Sequence, residues 1–348
     1  MEKKDIKSML PQELTEFTRQ LSQPDYRAKQ IFSWLQSGVE SFDEMTDLPA
    51  ALRKTLQETC YIATAQVEKK FRSKLDGTVK YLYRLRDGEL IESVLMHYEH
   101  GYTVCVSTQV GCRMGCTFCA SGKSGFIRNL TASEILSQIF AAQRDQQIRV
   151  SHVVMMGMGE PMDNFESTVR FLQLVSHPSG LNISLRHISV STSGVVPGIR
   201  RLAEYRFPIT LSISLHAPND AIRSRTMPVN RKWNIASLLE ACREYQAATT
   251  RRISFEYALI EGVNDSPECA RQLSKILNGI LAHINLIPAN PVVETSFHKP
   301  SRERIVRFQK MLEGFGFPTT IRRTLGADIN ASCGQLRRKT LQEKEDAR

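Results

Sequence analysis

From residue 103 onward, short runs of β-branched and other apolar residues alternate with longer segments whose apolar positions recur at helical spacing. This alternation is typical of repeated strand–helix units around a parallel sheet. Thr131 and Glu134 form a capping box, which predicts a helix over residues 131–144. No second nucleotide-binding half follows, so an α/β fold with a complete or partial (β/α) barrel is favoured. The candidate strands span residues 103–110, 152–157, 187–192, 209–215, 253–260, 283–287 and 319–323.

The first hundred residues follow a different pattern. Before residue 61 the sequence is helical and mixed in charge, and Trp34 belongs to an apolar stripe. Residues 65–98 alternate like strands, with Asp76-Gly77 as a hairpin turn. The chain is therefore expected to divide into an N-terminal helical domain, a β extension, a barrel core and a charged tail, over residues 1–60, 61–100, 101–340 and 341–348.

Composition narrows the class of protein. The 348 residues are 41% hydrophobic and 24% charged, and no apolar run approaches the roughly 20 residues that a membrane span needs. The N-terminus lacks the apolar block of a signal peptide, so a cytoplasmic location is expected. The net charge is +10, and the excess lies beyond residue 100, where 31 Lys and Arg face 20 Asp and Glu. A basic surface attracts polyanions, which makes nucleic acid a natural partner.

Three of the eight cysteines are closely spaced. Cys112, Cys116 and Cys119 lie at spacings of four and three residues, in one loop after a candidate strand. Three thiolates hold three irons of a 4Fe-4S cluster and leave the fourth iron open, whereas closed structural zinc normally has a fourth ligand nearby. No fourth ligand is evident in the neighbouring sequence. A metal site is therefore expected, with a zinc loop or three incidental thiols as the alternatives.

A glycine-rich turn, Gly157-Met-Gly-Glu-Pro161, ends the second candidate strand. Its glycines permit close backbone approach, and the Glu160 carboxylate accepts hydrogen bonds. A dinucleotide-binding turn is excluded because the third glycine is missing and a proline interrupts the amides. A plain turn is the alternative to a binding site.

The cysteine spacing, with Phe118 before the last thiol, resembles the cluster motif of radical S-adenosylmethionine (SAM) enzymes. Over nearly its full length the chain also resembles the RlmN/Cfr family of adenine methyltransferases. The shared motifs are Cys105-Val-Ser-Thr-Gln-Val-Gly-Cys112, Arg128-Asn-Leu, Gly157-Met-Gly-Glu-Pro-Met-Asp-Asn164, Ser189-Val-Ser-Thr-Ser-Gly194, Ser214-Leu-His-Ala217, Met227-Pro, Asn285-Leu-Ile-Pro and Cys333-Gly-Gln-Leu336.

This resemblance implies a partial barrel of the radical SAM type and two cofactors. One is a single 4Fe-4S cluster, held by Cys112, Cys116 and Cys119, and the other is SAM, with two molecules used per turnover. The open iron chelates the methionine part of SAM, and reduction of its sulfonium yields a 5′-deoxyadenosyl radical. The SAM contacts that the resemblance implies are Gly159, Glu160, Ser191, Ser214, Leu215, His216 and Asn290.

The resemblance also implies three catalytic residues. An adenine ring carbon is too poor a nucleophile to take a methyl group from a sulfonium directly, so the family first methylates a cysteine, which Cys333 matches. A methylene radical on that cysteine then adds to the base as a covalent RNA adduct. Glu92 matches the proton acceptor, and Cys105 matches the cysteine that releases the adduct through a transient disulfide with Cys333. Cys60, Cys242 and Cys269 match no motif and are assigned to packing.

The function implied is methylation of C2 of an adenine in 23S rRNA and of the adenosine 3′ to the tRNA anticodon. The expected partners are these RNAs and a low-potential electron donor such as flavodoxin or ferredoxin, and the protein is expected to be a monomer. Pro161-Met-Asp-Asn164, Ser193 and Pro288-Ala289 resemble RlmN more than Cfr, whose methylation of C8 of the same rRNA adenine is the nearest alternative.

Two other functions stay open on the sequence. One is a radical SAM enzyme that acts on a peptide or metabolite, and the other is a zinc-stabilised RNA-binding protein. Four arginine clusters are candidates for phosphate contacts, but some belong to ordinary solvated faces and no individual arginine is assigned. They are Arg200-Arg201, Arg223 with Arg225, Arg251-Arg252 and Arg322-Arg323.

Overall fold

The computed structural model describes residues 3–123, 125–288, 297–329, 331, 336–337 and 340. Within these residues the strands, β1 to β14 in chain order, are Lys4–Asp5, Cys60–Tyr61, Gln66–Arg72, Val79–Arg84, Leu90–Tyr98, Gly101–Cys105, Gln109–Gly111, Phe126–Asn129, Val150–Met155, Ile188–Thr192, Thr210–Ser214, Ile253–Leu259, Ala282–Pro288 and Thr319–Ile321.

The α-helices of the described residues, α1 to α11, are Pro11–Gln20, Tyr26–Ser37, Ala50–Thr59, Ala120–Lys123, Ala132–Gln146, Phe165–Val175, Val196–Glu204, Asp220–Thr226, Ile235–Thr249, Pro267–Leu277 and Arg302–Gly314. In this part of the chain no helix combines the length and the apolar character that crossing a membrane requires.

Ten described strands form one continuous sheet, in the order β14-β13-β12-β11-β10-β9-β6-β5-β4-β3. From β6 to β14 all neighbours are parallel, with helices between successive strands, as the alternating pattern predicts. On the other side of β6, strands β5, β4 and β3 are antiparallel. The fold is therefore the expected partial parallel barrel, and the β extension is continuous with its sheet.

One predicted strand is interrupted. Residues 103–110 were expected to form a single strand, but β6 ends at Cys105, and β7 begins at Gln109 and pairs with β8. The break lies at Ser107, whose backbone N–H donates to Oε1 of Gln138 at 2.8 Å and whose carbonyl accepts from Nε2 of the same side chain at 2.9 Å. This side-chain amide takes the place of a strand neighbour, which was not readable from the apolar pattern.

Helix α5 begins where the capping box predicts. The Glu134 N–H donates to Oγ1 of Thr131 at 3.3 Å, and the Thr131 N–H donates to Oε2 of Glu134 at 3.0 Å. Ile135 and Ile139, one turn apart, are fully buried against the sheet. Local capping and the apolar face of the helix therefore agree.

The two faces of the parallel strands have different chemistry. Side chains that face the helices, such as Val190, Ile213 and Phe255, are fully buried and belong to the main apolar core. Positions of the opposite parity face the interior of the barrel and are often polar, for example Ser191 and Ser214. Parallel strands that are buried on both faces are usually apolar at every position. Here the positions that face the barrel interior are often polar, so the interior is suited to a polar ligand.

The predicted hairpin turn at Asp76-Gly77 joins β3 to β4, and Gly77 has φ +73° there. This turn is fastened to residues that follow β14, at the far end of the sheet order. Asp328 accepts from Oγ of Ser73 at 2.7 Å and from the Lys74 N–H at 2.9 Å, and Asp76 accepts from the Gly326 N–H at 2.8 Å. We call Asp76, Asp328 and their partners the carboxylate clasp.

Candidate active site

A cavity of about 200 Å³ opens where the parallel strands run into their following loops. This is the end of a (β/α) barrel at which chemistry takes place. Eight of the residues singled out from the sequence line it, namely Cys112, Cys116, Cys119, Gly159, Glu160, Ser191, Ser214 and His216. Leu215 is fully buried beside them without lining the cavity, and Asn290 and Cys333 lie outside the described residues.

The cysteine loop follows β7 and is held by backbone contacts. The Cys112 N–H donates to the Gly125 carbonyl at 2.9 Å, and the Cys119 N–H donates to the Cys116 carbonyl at 3.1 Å. Gly111, at φ +79°, has no room for a side chain, since a Cβ there would lie 1.8 Å from the Gly125 oxygen. A glycine immediately before the first thiol is thus a steric requirement of this loop.

Burial dominates the chemistry of the thiols. It raises the pKa of Cys112 to about 12, and it also raises the pKa of Cys116. Bare thiolates are costly in such a place, and a bound metal centre removes that cost by supplying positive charge. Among the described residues, no group of three or more His, Cys, Asp or Glu side chains is arranged to hold a single metal ion, so the three thiols do not form a preassembled site for one ion such as zinc.

The glycine-rich turn after β9 packs closely on the end of β6. A Cβ at Gly157 would lie 2.6 Å from the Val106 oxygen, and one at Gly159, at φ +106°, would lie 2.7 Å from the Gln109 nitrogen. Glu160 is buried and accepts from the N–H groups of Met162 at 3.0 Å and Ser193 at 2.7 Å. Burial raises the pKa of Glu160, and these two hydrogen bonds oppose the rise.

His216 follows β11 with a left-handed backbone, φ +55°. Its Nδ1 accepts from the Ala258 N–H at 2.9 Å, so the ring carries its proton on Nε2. Burial, with a smaller effect of the Arg223 charge, lowers the pKa of His216 to about 3. The imidazole is therefore neutral and offers one N–H donor to the cavity.

Sequence reasoning missed Glu256 as a residue of this cavity. It lies on β12, and its carboxylate accepts from Oγ of Ser254 at 3.0 Å and from Nδ2 of Asn285 at 2.7 Å. Burial raises its pKa, and the Asn285 hydrogen bond is the largest opposing effect. The sequence contained a signal for this residue. Glu256 lies within an apolar strand at the same parity as Ser254, so its carboxylate is expected to be buried and to face the barrel interior.

Neither Cys105 nor Glu92 is part of the wall of the cavity. Cys105 belongs to a small apolar cluster with Val94 and Met96, against which Met156 and Ala331 pack. Met156 also lines the cavity. Met156 therefore contacts both the apolar cluster around Cys105 and the cavity.

Glu92, whose residue type alone suggests a surface carboxylate, is completely buried on β5. Its Oε2 pairs with Nζ of the buried Lys80 at 3.1 Å, and its Oε1 accepts from the Arg337 N–H at 2.7 Å. Strand β5 lies between β4 and β6 in the continuous sheet, and the backbone of Arg337 lies against this carboxylate. The ion pair offsets the cost of burying the carboxylate.

The arginine pairs differ from one another. Arg200 is exposed and pairs with Glu244 at 2.7 Å, and Arg201 pairs with Glu166 at 2.6 Å, so both belong to ordinary solvated faces. Arg223 is fully buried, which removes it from the candidate phosphate contacts. Arg322 lines the cavity.

Comparison with known proteins adds family evidence to this geometry. The model of the radical SAM superfamily matches residues 106–273, and that of the ribosomal RNA large subunit methyltransferase N-terminal domain matches residues 4–62. A probable dual-specificity RNA methyltransferase RlmN from Alkaliphilus oremlandii is 52% identical over 342 residues, covering 98% of this chain and 100% of that protein. The chain belongs to the RlmN family.

Other relatives agree with the RlmN assignment. An RlmN protein from Symbiobacterium thermophilum, also described as a probable dual-specificity RNA methyltransferase, is 52% identical over 338 residues, covering 96% of this chain and 91% of that protein. The crystal structure of a radical SAM methyltransferase from Sphaerobacter thermophilus matches with a TM-score of 0.91 at 45% identity, over 95% of this chain and 98% of that chain.

As an RlmN-family member, the chain is a radical SAM RNA methyltransferase, with a 4Fe-4S cluster and SAM as its cofactors. The residues present fit both groups. The three thiols supply the soft ligands that iron–sulfur clusters take, and they share one cavity with polar groups suited to an amino acid and a ribose. Oγ of Ser193, in the wall of this cavity beside the Glu160 carboxylate, adds a further polar group to this set.

Proposed function

We propose that this enzyme methylates C2 of an adenine in 23S rRNA and C2 of the adenosine 3′ to the anticodon in tRNA. One structural observation carries the proposal. The described residues on either side of Cys333 contact the two other proposed catalytic residues, because Ala331 packs against the cluster of Cys105 and the Arg337 N–H binds Glu92. RlmN relatives are described as dual-specificity RNA methyltransferases, which supports both RNA substrates.

The cavity residues have separate roles in this proposal. Cys112, Cys116 and Cys119 would hold the cluster, and the cavity beside them would take the methionine part of SAM. Glu160 accepts from the SAM amino group, and the serine hydroxyls and the His216 Nε2–H bind the rest of the cofactor together with Gly159, Leu215 and Asn290. When bound, the cluster and SAM supply an electron and a carbon-centred radical.

The protein's own groups then act on the base. Cys333 carries the methyl group, which would give up one hydrogen atom to the radical that SAM supplies before its carbon bonds to C2 of the adenine. Glu92 accepts the proton that leaves C2, and one electron would return to the cluster. Cys105 then attacks the Cys333 sulfur and breaks its bond to the methylene carbon; that carbon takes up a proton to become the new methyl group, and Cys105 and Cys333 are left as a disulfide. The burial of Glu92 and Cys105 supports these roles, since water is kept from both groups.

The decisive experiment is mass spectrometry of RNA methylated by the anaerobically reconstituted enzyme. We expect 2-methyladenine in both RNAs. A Cys105→Ala variant is expected to accumulate a covalent protein–RNA adduct, and Cys333→Ala is expected to form neither adduct nor product. Formation of 8-methyladenine would replace this proposal with the Cfr activity, and full activity of Cys333→Ala would indicate a different radical SAM reaction.

We also propose a cytoplasmic location, where ribosomal and transfer RNA, reduced thiols and a donor such as flavodoxin or ferredoxin occur together. A monomer is proposed as the active form. The division into residues 1–60, 61–100, 101–340 and 341–348 is retained as a proposal for the domain organisation.

A further inference from the structure

Arg223, on α8, is completely buried, yet its guanidinium has only neutral hydrogen-bond acceptors among the described residues. It donates to the carbonyls of Leu215 at 3.2 Å, Ser193 at 2.6 Å and Ser214 at 3.3 Å, and to Oδ1 of Asn230 at 2.9 Å. Burial lowers the pKa of Arg223 to about 10, so it is charged at neutral pH. None of these acceptors is a carboxylate, and a buried charge without a directly bound counter-ion is costly.

The acceptors of Arg223 belong to the wall of the SAM cavity. Ser193 follows β10, and Ser214 and Leu215 lie at the end of β11. Ser193 and Ser214 both line the cavity. The Arg223 guanidinium therefore links the ends of the adjacent strands β10 and β11. Only arginine presents several N–H donors in this fixed planar arrangement.

The same helix holds the cysteine loop. The N–H of Thr117, the residue after Cys116, donates to the Thr226 carbonyl at 2.9 Å, and its Oγ1 donates to the same oxygen at 3.4 Å. Thr226 is in α8, one turn from Arg223. One short helix therefore carries both Arg223, which binds the cavity wall, and the carbonyl that holds the cysteine loop.

We propose that Arg223 is a positioning residue that provides the buried positive charge for the anionic, thiolate-bound 4Fe-4S cluster and fixes the cavity wall beside it. Reduction adds a negative charge to the cluster, so a nearby buried cation stabilises the reduced form more than the oxidised form and raises the reduction potential. This role rests on the proposed function, in which Cys112, Cys116 and Cys119 are the cluster ligands. It goes beyond that function by naming a group that tunes the cluster without touching it.

The test is an anaerobic redox titration of the reconstituted full-length protein, followed by electron paramagnetic resonance in the absence of RNA. Arg223→Met is expected to shift the potential to a more negative value, and Arg223→Lys, which keeps the charge, is expected to remain close to wild type. Arg225→Met is the matched control, because it removes an exposed arginine from the same helix with the same change in net charge, and it is expected to leave the potential unchanged.

A fourth variant keeps Arg223 intact. Asp220 is the acidic group whose charge acts on Arg223. Its Oδ1 accepts from Nδ2 of Asn230 and from the Ile235 N–H, both at 2.9 Å, and an asparagine oxygen retains both contacts. Asp220→Asn is therefore expected to shift the potential to a less negative value, opposite to Arg223→Met.

A wild-type potential in Arg223→Met with full iron content would overturn the proposal. If that variant does not fold, Asp220→Asn decides, and an unchanged or more negative potential there overturns it. Failure of the proposed function has a different signature, since full iron content in Cys116→Ala would refute the ligand assignment itself.

Discussion

The backbone N–H of Arg337 donates to Oε1 of Glu92 at 2.7 Å, inside the protein. The residue proposed to take the proton from the RNA base therefore also binds the chain four positions after Cys333. Its other oxygen pairs with Lys80 at 3.1 Å. Proton acceptance requires the negative charge, whereas binding of the Arg337 N–H requires only an oxygen, so the two roles are separable by substitution.

Glu92→Gln tests the proton-accepting role. The amide oxygen retains an acceptor for the Arg337 N–H, so methylation of Cys333 is expected to continue. Loss of the proton acceptor is expected to slow formation of methylated RNA by roughly 10²–10⁴-fold, the usual contribution of a general base. Protein and RNA mass spectrometry measure the two steps separately. Equal loss of both steps would assign Glu92 a purely structural role, for which Glu92→Ala is the reference.

Lys80→Met is expected to destabilise the fold strongly, because it leaves a buried carboxylate without its cation. Breaking a buried ion pair typically costs about 3–5 kcal/mol. The double variant Lys80→Met/Glu92→Gln is expected to be more stable than Lys80→Met alone. Urea unfolding of the wild type, both single variants and the double variant measures the coupling, and simple additivity would contradict the prediction.

Gly111→Ala is expected to abolish cluster binding. Its Cβ would lie 1.8 Å from the Gly125 oxygen, at φ +79°. Gly88→Ala is the matched control, since Gly88 has φ +88° and no atom within 4 Å of the added carbon; it carries only the left-handed backbone penalty of about 1–2 kcal/mol. Iron and sulfide analysis after reconstitution separates the two. Equal iron content in both variants would show that the contact is not required.

Disruption of the carboxylate clasp is expected to uncouple SAM cleavage from methylation of RNA. Asp328 lies shortly before Cys333 in the chain, and Asp328→Asn weakens its contacts with Ser73 and Lys74. We expect SAM cleavage to continue while transfer to RNA declines, so the ratio of 5′-deoxyadenosine to methylated adenine should rise. Glu204→Gln, at an exposed position of α7, is the control. A ratio equal to that of the control would remove the clasp from the positioning of Cys333.

His216 predicts a dependence of stability on pH. Its pKa is lowered from 6.5 to about 3 by burial, so the unfolded chain binds a proton over a range in which the folded chain does not. Its contribution is complete above pH 6.5 and is lost as pH falls toward 3. From pH 7.5 to 5.5 the loss from this residue is about 1.4 kcal/mol. Urea unfolding of His216→Gln should lack this component, whereas the exposed control His97→Gln should retain it.

Much of the fold was readable from the chain. Alternating apolar runs predicted the parallel strands, and the Thr131–Glu134 capping box predicted the start of α5. The interruption at Ser107 was not readable, since it depends on the Gln138 amide of a later helix. Glycine and cysteine spacing predicted the cavity, because these residues act through local geometry. Glu256 was missed and the burial of Arg223 was not readable, since both are buried by strands and helices that meet only in the folded barrel.

Strand β6 is the line along which the antiparallel and parallel parts of the sheet meet. Cys105 lies opposite Val94 in one direction and Val154 in the other. Side chains alternate between the faces of a strand, so a slip of one residue against either neighbour would turn this thiol toward the helices. Insertions or deletions of two residues in the Tyr98–Gly101 connection are therefore expected to be tolerated, whereas those of one residue are not. Sequences of this family are expected to show this pattern.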